Sequence, residues 1–243
     1  MNPEPAASAA AAAVTSLGRA GFARLAGREV QALAGTAADG FASLAASWAD
    51  LDTDTYMADG GRYRRRRYAS FAVDGAVVTR RPHQPHYQGR DYNRLNGGVD
   101  RWFTPIADAV AAHPLFERLV VLFGGMFDAA AAPRPWIVEA HQFRIEADPG
   151  HPGLPTPEGM HRDGVDWVAV CLIGRTNVAG GVTAVADAEG RSLGTFTLVD
   201  PLDTVVLDDH RLWHGVTPVM PERPGHPAHR DVLVLTYRDG HAG

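Results

Sequence analysis

EGMHRDGVDWVAVCLIG, residues 158–174, is the stretch on which the fold reading turns. His161 and Asp163 are two apart, so on extended backbone both side chains fall on one face and Arg162 falls on the other. An imidazole and a carboxylate placed in this way can share one metal ion, and by the same parity Asp166 is directed away. The triple alone is a weak sign, because most such triples are surface residues. The sequence that follows gives it weight.

Downstream, TVVLDDHRLWHGVTP (204–218) carries His214 on a later apolar strand, and HRDVLVLTYR (229–238) opens with Arg230. Two neutral imidazoles and one carboxylate, leaving three coordination positions open, form the facial arrangement that suits non-haem Fe(II) and O₂. His210 competes for the third place, but it sits among Asp208, Asp209 and Arg211 in a turn-like polar run, so His214 is the expected ligand. Arg230 is either a surface charge at a strand start or a bidentate partner for the distal carboxylate of a dicarboxylate co-substrate on the metal.

Around this site, seven segments separated by Gly-, Pro- and Asp-rich turns read as strands: 136–147, 166–174, 181–187, 192–199, 203–208, 212–219 and 230–238. Their number and spacing predict a mainly β, antiparallel sandwich or barrel with helices beside it. In WIVEAHQFRIEA, Val138, Gln142 and Arg144 are offset in parity from Ile137, His141 and Phe143. His141 is a further candidate ligand, although a lone strand histidine is more often a core or edge residue.

Farther back, RYRRRRYASFAVDGAVVTRRP changes to a period of two, with Arg64, Arg66 and Tyr68 on one face and Arg65 and Arg67 on the other; Asp74-Gly75 marks a hairpin turn. Alternation divides the basic run between faces, and the formal charge of the chain is −5, so a nucleic-acid partner is not expected. The remaining readings are a solvated edge strand or a carboxylate clamp by one inward arginine. Residues 81–101 lack a continuous period and suit a lid loop. Two helices are expected over 104–112 and 114–129, with Pro114 at a helix start.

Residues 15–51 show helix-like apolar spacing interrupted by glycines, predicting two or three short helices, and 1–14 form an Ala-rich, flexible leader. One domain is expected over 15–243, helical to about 130 and β-rich over about 136–238. Cys171 is the only cysteine, which excludes an intrachain disulfide and a thiolate zinc cluster. The apolar run Ala6–Val14 is too short to span a bilayer, so no membrane is expected and the cytoplasm is the default location.

His161-x-Asp163, Thr176-Asn177…Gly180-Gly181, Pro201-Leu202-Asp203-Thr204, Trp213-His214-x-Val216-Thr217-Pro218 and Arg230-Asp231-x-Leu233 together resemble the Fe(II)- and 2-oxoglutarate-dependent dioxygenases. The likeness is to a subgroup of bacterial free amino-acid hydroxylases, of the L-isoleucine 4-hydroxylase kind. Weaker likeness extends through Arg64-x-Arg66-x-Tyr68 and His141-Gln142-x-Arg144, so that it spans about residues 45–238.

The resemblance implies a double-stranded β-helix, or jelly roll, with iron on His161, Asp163 and His214 and 2-oxoglutarate on Arg230. It also implies a small-molecule substrate, a free amino acid, whose carboxylate meets Arg64, Arg66 or Arg144 near Tyr68 and Gln142. The chemistry implied is hydroxylation of an aliphatic C–H, with succinate and CO₂ as co-products. Desaturation, cyclisation, sulfoxidation and a carrier- or peptide-linked substrate are the nearest alternatives. A cupin-like zinc isomerase or hydrolase, or a ligand-binding jelly roll, is more remote.

Overall fold

The structure is a computed structural model and describes residues 3–35, 37–93 and 95–241; Met1 and Asn2 of the expected leader lie outside it. In chain order the N-terminal half contains α1 (Pro3–Ala20), β1 (Phe22–Leu25), α2 (Gly27–Leu33), α3 (Ala38–Ala46), a 3-10 turn (Ser47–Asp50), β2 (Asp52–Thr53), β3 (Arg64–Asp74), β4 (Val77–Arg80), α4 (Asp108–Ala111) and α5 (Pro114–Ala130). There follow β5 (Trp136–Glu146), β6 (Trp167–Thr176), β7 (Val178–Gly180), β8 (Val182–Ala186), β9 (Ser192–Thr197), β10 (Thr204–Asp208), β11 (Trp213–Val216), β12 (Val219–Pro221) and β13 (His229–Asp239).

The longest strands lie side by side, because long runs of buried positions are stable only when each strand has a partner on both edges. β13 pairs antiparallel with β5 and β6, and β5 pairs with β3, giving a major sheet of order β1-β10-β6-β13-β5-β3-β2 with β4 beside β3. Opposite it lie a small sheet, β11-β8-β9, and the pair β12-β7.

Both faces of the major sheet are covered, which is why the centre of β13, Val232–Leu235, reads as an unbroken apolar run. Leu233, Leu235 and Tyr237 pack toward the helices with Phe116, Leu119, Phe123 and Phe127 of α5. Val232 belongs instead to the layer between the sheets, with Val185, Val205 and Leu207. Pro114 does start α5, and His113 caps it by accepting from the Leu115 N–H at 3.2 Å. Each of its fully buried phenylalanines contributes about 2–3 kcal/mol.

Two N-terminal expectations are corrected. Helix α1 runs through the boundary placed at residue 14 and buries Ala13 and Leu17, so its C-terminal half is part of the core. Residues 22–25, read as helical, form β1 against β10; Gly21, at φ +80°, ends the helix and turns the chain onto the sheet edge. The segment expected at 212–219 divides into β11 and β12, and the short β7 has too few residues to show a period.

The Pro201-Leu202-Asp203-Thr204 motif is a structural clamp. Asp203 accepts N–H bonds from Gly27 through Oδ1 and from Val199 and Asp200 through Oδ2. A Cβ on Gly27 would lie 1.9 Å from the Pro201 carbonyl oxygen, so glycine is required for this approach.

Candidate active site

A cavity opens between the inner face of the major sheet and β11, with an empty volume, mouth included, of about 910 Å³. His214 stands on β11, and His161 lies antiparallel to it through paired backbone bonds of 2.9 Å in each direction. The pairing holds the two rings 4.4 Å apart between centroids.

The expected strand around His161 is a single bridge followed by a loop. The parity argument survives: Arg162 turns outward over Trp213, while Asp163 turns in. Asp209 holds the loop by accepting the N–H groups of Asp163, Gly164 and Val165 at 2.9, 2.7 and 3.1 Å. Gln88, from the loop expected to form a lid, donates to the Asp163 carbonyl at 3.1 Å and to its Oδ1 at 3.4 Å.

One atom each from His161, Asp163 and His214 lies within 4.8 Å of the other two. The Asp163 carboxylate is 3.7 Å from His161 Nε2 and 3.5 Å from His214 Nε2. His161 Nδ1 is 3.1 Å from the Gly159 carbonyl, which fixes the proton on Nδ1 and leaves the Nε2 lone pair facing Asp163. Burial, then His161, drives His214 down to about 3, which favours the neutral imidazole that a metal requires. Two imidazole nitrogens and a carboxylate in this setting fit a divalent iron with open positions.

His210 is outside the site. Its side chain is 70% exposed and bonds Asp166 at 2.8 Å, and Asp166 in turn accepts from the Asp239 N–H. His141 faces the cavity, but its Nδ1 is 2.7 Å from Arg66 Nη2. A guanidinium only donates, so the His141 proton sits on Nε2. Burial, reinforced by Arg66, holds His141 well below the ordinary histidine value.

Arg230 on β13, Ile145 on β5 and Arg64 on β3 lie in one row across the sheet. Arg66 is two residues along β3, opposite Phe143. Arg230 and the β3 arginines are thus two strand spacings apart, roughly 10 Å. Arg230 is buried, its Nε and Nη2 have no hydrogen-bond partner among the described residues, and burial takes it down to about 10. The neighbouring Asp231 is engaged from the opposite face by Arg144, at 2.8 and 2.7 Å.

That ion pair corrects two expected substrate contacts. Arg144 and Gln142 face away from the cavity, Gln142 donating to Ser47 Oγ at 2.9 Å, because the inward face of β5 carries Glu139, His141, Phe143 and Ile145. Arg64 and Arg66 do face inward, so β3 is not a solvated strand. Arg64 is fixed by Asp54, at 2.7 Å, and Arg66 stacks over Phe103, its carbon 3.5 Å from the ring centroid. Tyr68 stands behind them, donating to Glu139 at 2.6 Å.

Sequence reasoning missed Arg101, Glu139, Glu158, His86 and Gln88, all of which line the cavity. Glu139 is held by Tyr68, His86 and Arg238. Burial pushes its carboxyl up, but these partners outweigh burial and bring it to about 2. A carboxyl depressed in the folded state contributes stability above its unfolded value, about 4.5, and loses it as pH falls toward about 2. The wild type should therefore lose up to ~3 kcal/mol through this group on acidification. Urea unfolding between pH 6 and pH 3 should give a shallower pH slope for Glu139→Gln, and equal slopes would refute the assignment.

A family model described as 2OG-Fe dioxygenase matches residues 45–236. The chain belongs to this dioxygenase family. The dioxygenase is 27% identical to an L-isoleucine-4-hydroxylase of Bacillus thuringiensis over 77% of this chain and 78% of the relative. It is 42% identical to the crystal structure of a bsmA homologue from Methylobium petroleophilum PM1, with a TM-score of 0.88 over 95% and 93% of the two chains. The structure of IDO from Bacillus thuringiensis, at 20% identity and a TM-score of 0.79 over 95% and 99%, shares the fold. The core is therefore the jelly roll of the 2-oxoglutarate oxygenases, and the enzyme uses Fe(II), 2-oxoglutarate and O₂. Among the described residues no helix is long and apolar enough to cross a membrane.

Proposed function

We propose that this dioxygenase oxidises an aliphatic C–H of a free L-amino acid, hydroxylating it. In this reading His161, Asp163 and His214 hold the iron and Arg230 takes the distal carboxylate of 2-oxoglutarate. With O₂, the bound iron and 2-oxoglutarate supply an oxidation that leaves succinate and CO₂ and places one oxygen atom on the substrate. The protein's part is to position both molecules and exclude water.

The observation that carries the reading is the pair of separate cationic positions on either side of β5. Arg230 serves one small acid, and Arg66 with Arg101 serves another. Arg101 is buried, and the only hydrogen bond of its guanidinium among the described residues is a long one of 3.4 Å to Gln88. Val170, Val232 and Val234 supply an apolar wall suited to an aliphatic side chain. The isoleucine hydroxylase named above supports an amino acid as that second acid.

Incubation of the Fe(II)-loaded enzyme with 2-oxoglutarate, O₂ and a panel of free amino acids tests this. Succinate formed in step with a product one oxygen heavier is the expected outcome. No stimulation by any amino acid would remove the substrate assignment, while a product lighter by two hydrogens would replace hydroxylation by desaturation or ring closure. Arg101→Met should raise the amino-acid KM about tenfold or more, in line with the loss of a charged hydrogen bond, and leave the 2-oxoglutarate KM unchanged.

A further inference from the structure

We infer that Glu158 is the receptor for the substrate's ammonium group, so that the cavity selects a free α-amino acid by both of its charges. The inference rests on the amino-acid reading above and adds the residue that distinguishes a free amino acid from an acylated or carrier-linked one.

Three carboxylates line the cavity: Glu139, Glu158 and Asp163. Glu139 is filled by Tyr68, His86 and Arg238, and Asp163 belongs to the candidate iron triad. Asp54, behind the arginines, is filled by Arg64 and by the Tyr56 N–H. Glu158 alone remains open: its buried Oε2 has no hydrogen-bond partner among the described residues, and its side chain is 13% exposed. Leaving a buried carboxylate oxygen without a donor is unfavourable, so a bound ligand that brings N–H groups is favoured there.

Its position also fits. Glu158 Oε1 is 3.9 Å from His161 Nε2, beside the triad but outside the set of atoms that would share one ion. Glu158 and Arg101 both line the cavity, and no hydrogen bond joins the two. A molecule with adjacent cationic and anionic ends fills that gap, the ammonium on Glu158 and the carboxylate on Arg101 and Arg66. An amide nitrogen, uncharged and lacking two of the three donors, does not satisfy the same carboxylate.

The test is calorimetry on the Fe(II)-loaded protein with 2-oxoglutarate under anaerobic conditions. L-isoleucine, L-leucine and L-valine are titrated beside their deaminated counterparts, into wild type and Glu158→Gln. Expected is at least a tenfold weaker Kd for the amino acids in the variant, with the deaminated acids binding equally well or better than to wild type. Equal weakening of both classes, or no weakening, overturns the role of Glu158 while leaving the amino-acid reading intact. Deaminated acids that match the amino acids in wild type likewise overturn the role of Glu158, and failure of every member of a full amino-acid panel to bind there overturns both. An unchanged 2-oxoglutarate Kd and iron content show that the variant is folded, and Glu158→Asp should recover part of the affinity.

Discussion

His214→Ala should lose iron by more than ~100-fold in affinity, since even outer partners of a metal ligand are worth 10–100-fold, and substrate-driven succinate should disappear with it. The ring stands on β11, held against its partner His161 by two backbone bonds. His210→Ala is the matched comparison, because that imidazole is exposed and engaged with Asp166. It should retain stoichiometric iron and full turnover. Iron content by atomic absorption after dialysis separates the two variants, and a His214→Ala protein that kept its iron would dismiss the triad.

Arg230→Met should affect binding and stability in opposite directions. Truncating one partner of a buried charge pair removes about 2–5 kcal/mol, so the Kd for 2-oxoglutarate should rise by roughly 30-fold to several thousandfold. Among the described residues no carboxylate pairs with the guanidinium, and the neighbouring Asp231 is bound by Arg144. Burial opposes its charge, and an apolar replacement of similar length removes that penalty. The unfolding midpoint without 2-oxoglutarate should thus stay level or rise, while the stabilisation that 2-oxoglutarate confers on wild type should vanish. Arg230→Lys keeps the charge but loses the planar fork, and should fall between. Methionine binding 2-oxoglutarate like arginine would assign the co-substrate elsewhere.

The triad could be read in the sequence because it depends on residue type and short-range parity. That parity held even though His161 and Asp163 occupy a bridge and a loop. Its positioning could not be read: Asp209 acts on three amides more than 40 residues away in sequence. The choice of Gln142 and Arg144 failed for a related reason. β5 is covered on both faces, so polarity along the strand does not say which face is the cavity, and the partner that claims Arg144 lies 87 residues downstream. Arg101, Gln88 and Glu158 come from loops without a period, where placement follows from long-range contacts. β1 was misread because four residues between helices give alternation too little length.

The four arginines Arg64–Arg67 make β3 sensitive to length more than to spelling. Arg65 and Arg67 now face outward, paired with Glu146 and Asp50, while Arg64 and Arg66 face the cavity. Tyr68, Phe71 and Val73 are buried and set the register of β3 against β5, so deleting one arginine from the run would bring Tyr63 into the inward position of Arg64. The shortened chain would still spell a basic run and would align as almost intact, yet the buried Asp54 would have lost the guanidinium that pairs with it at 2.7 Å. Homologues or engineered chimeras that join near residue 62 should therefore be judged by the number of arginines directly before Tyr68, rather than by the presence of a basic run.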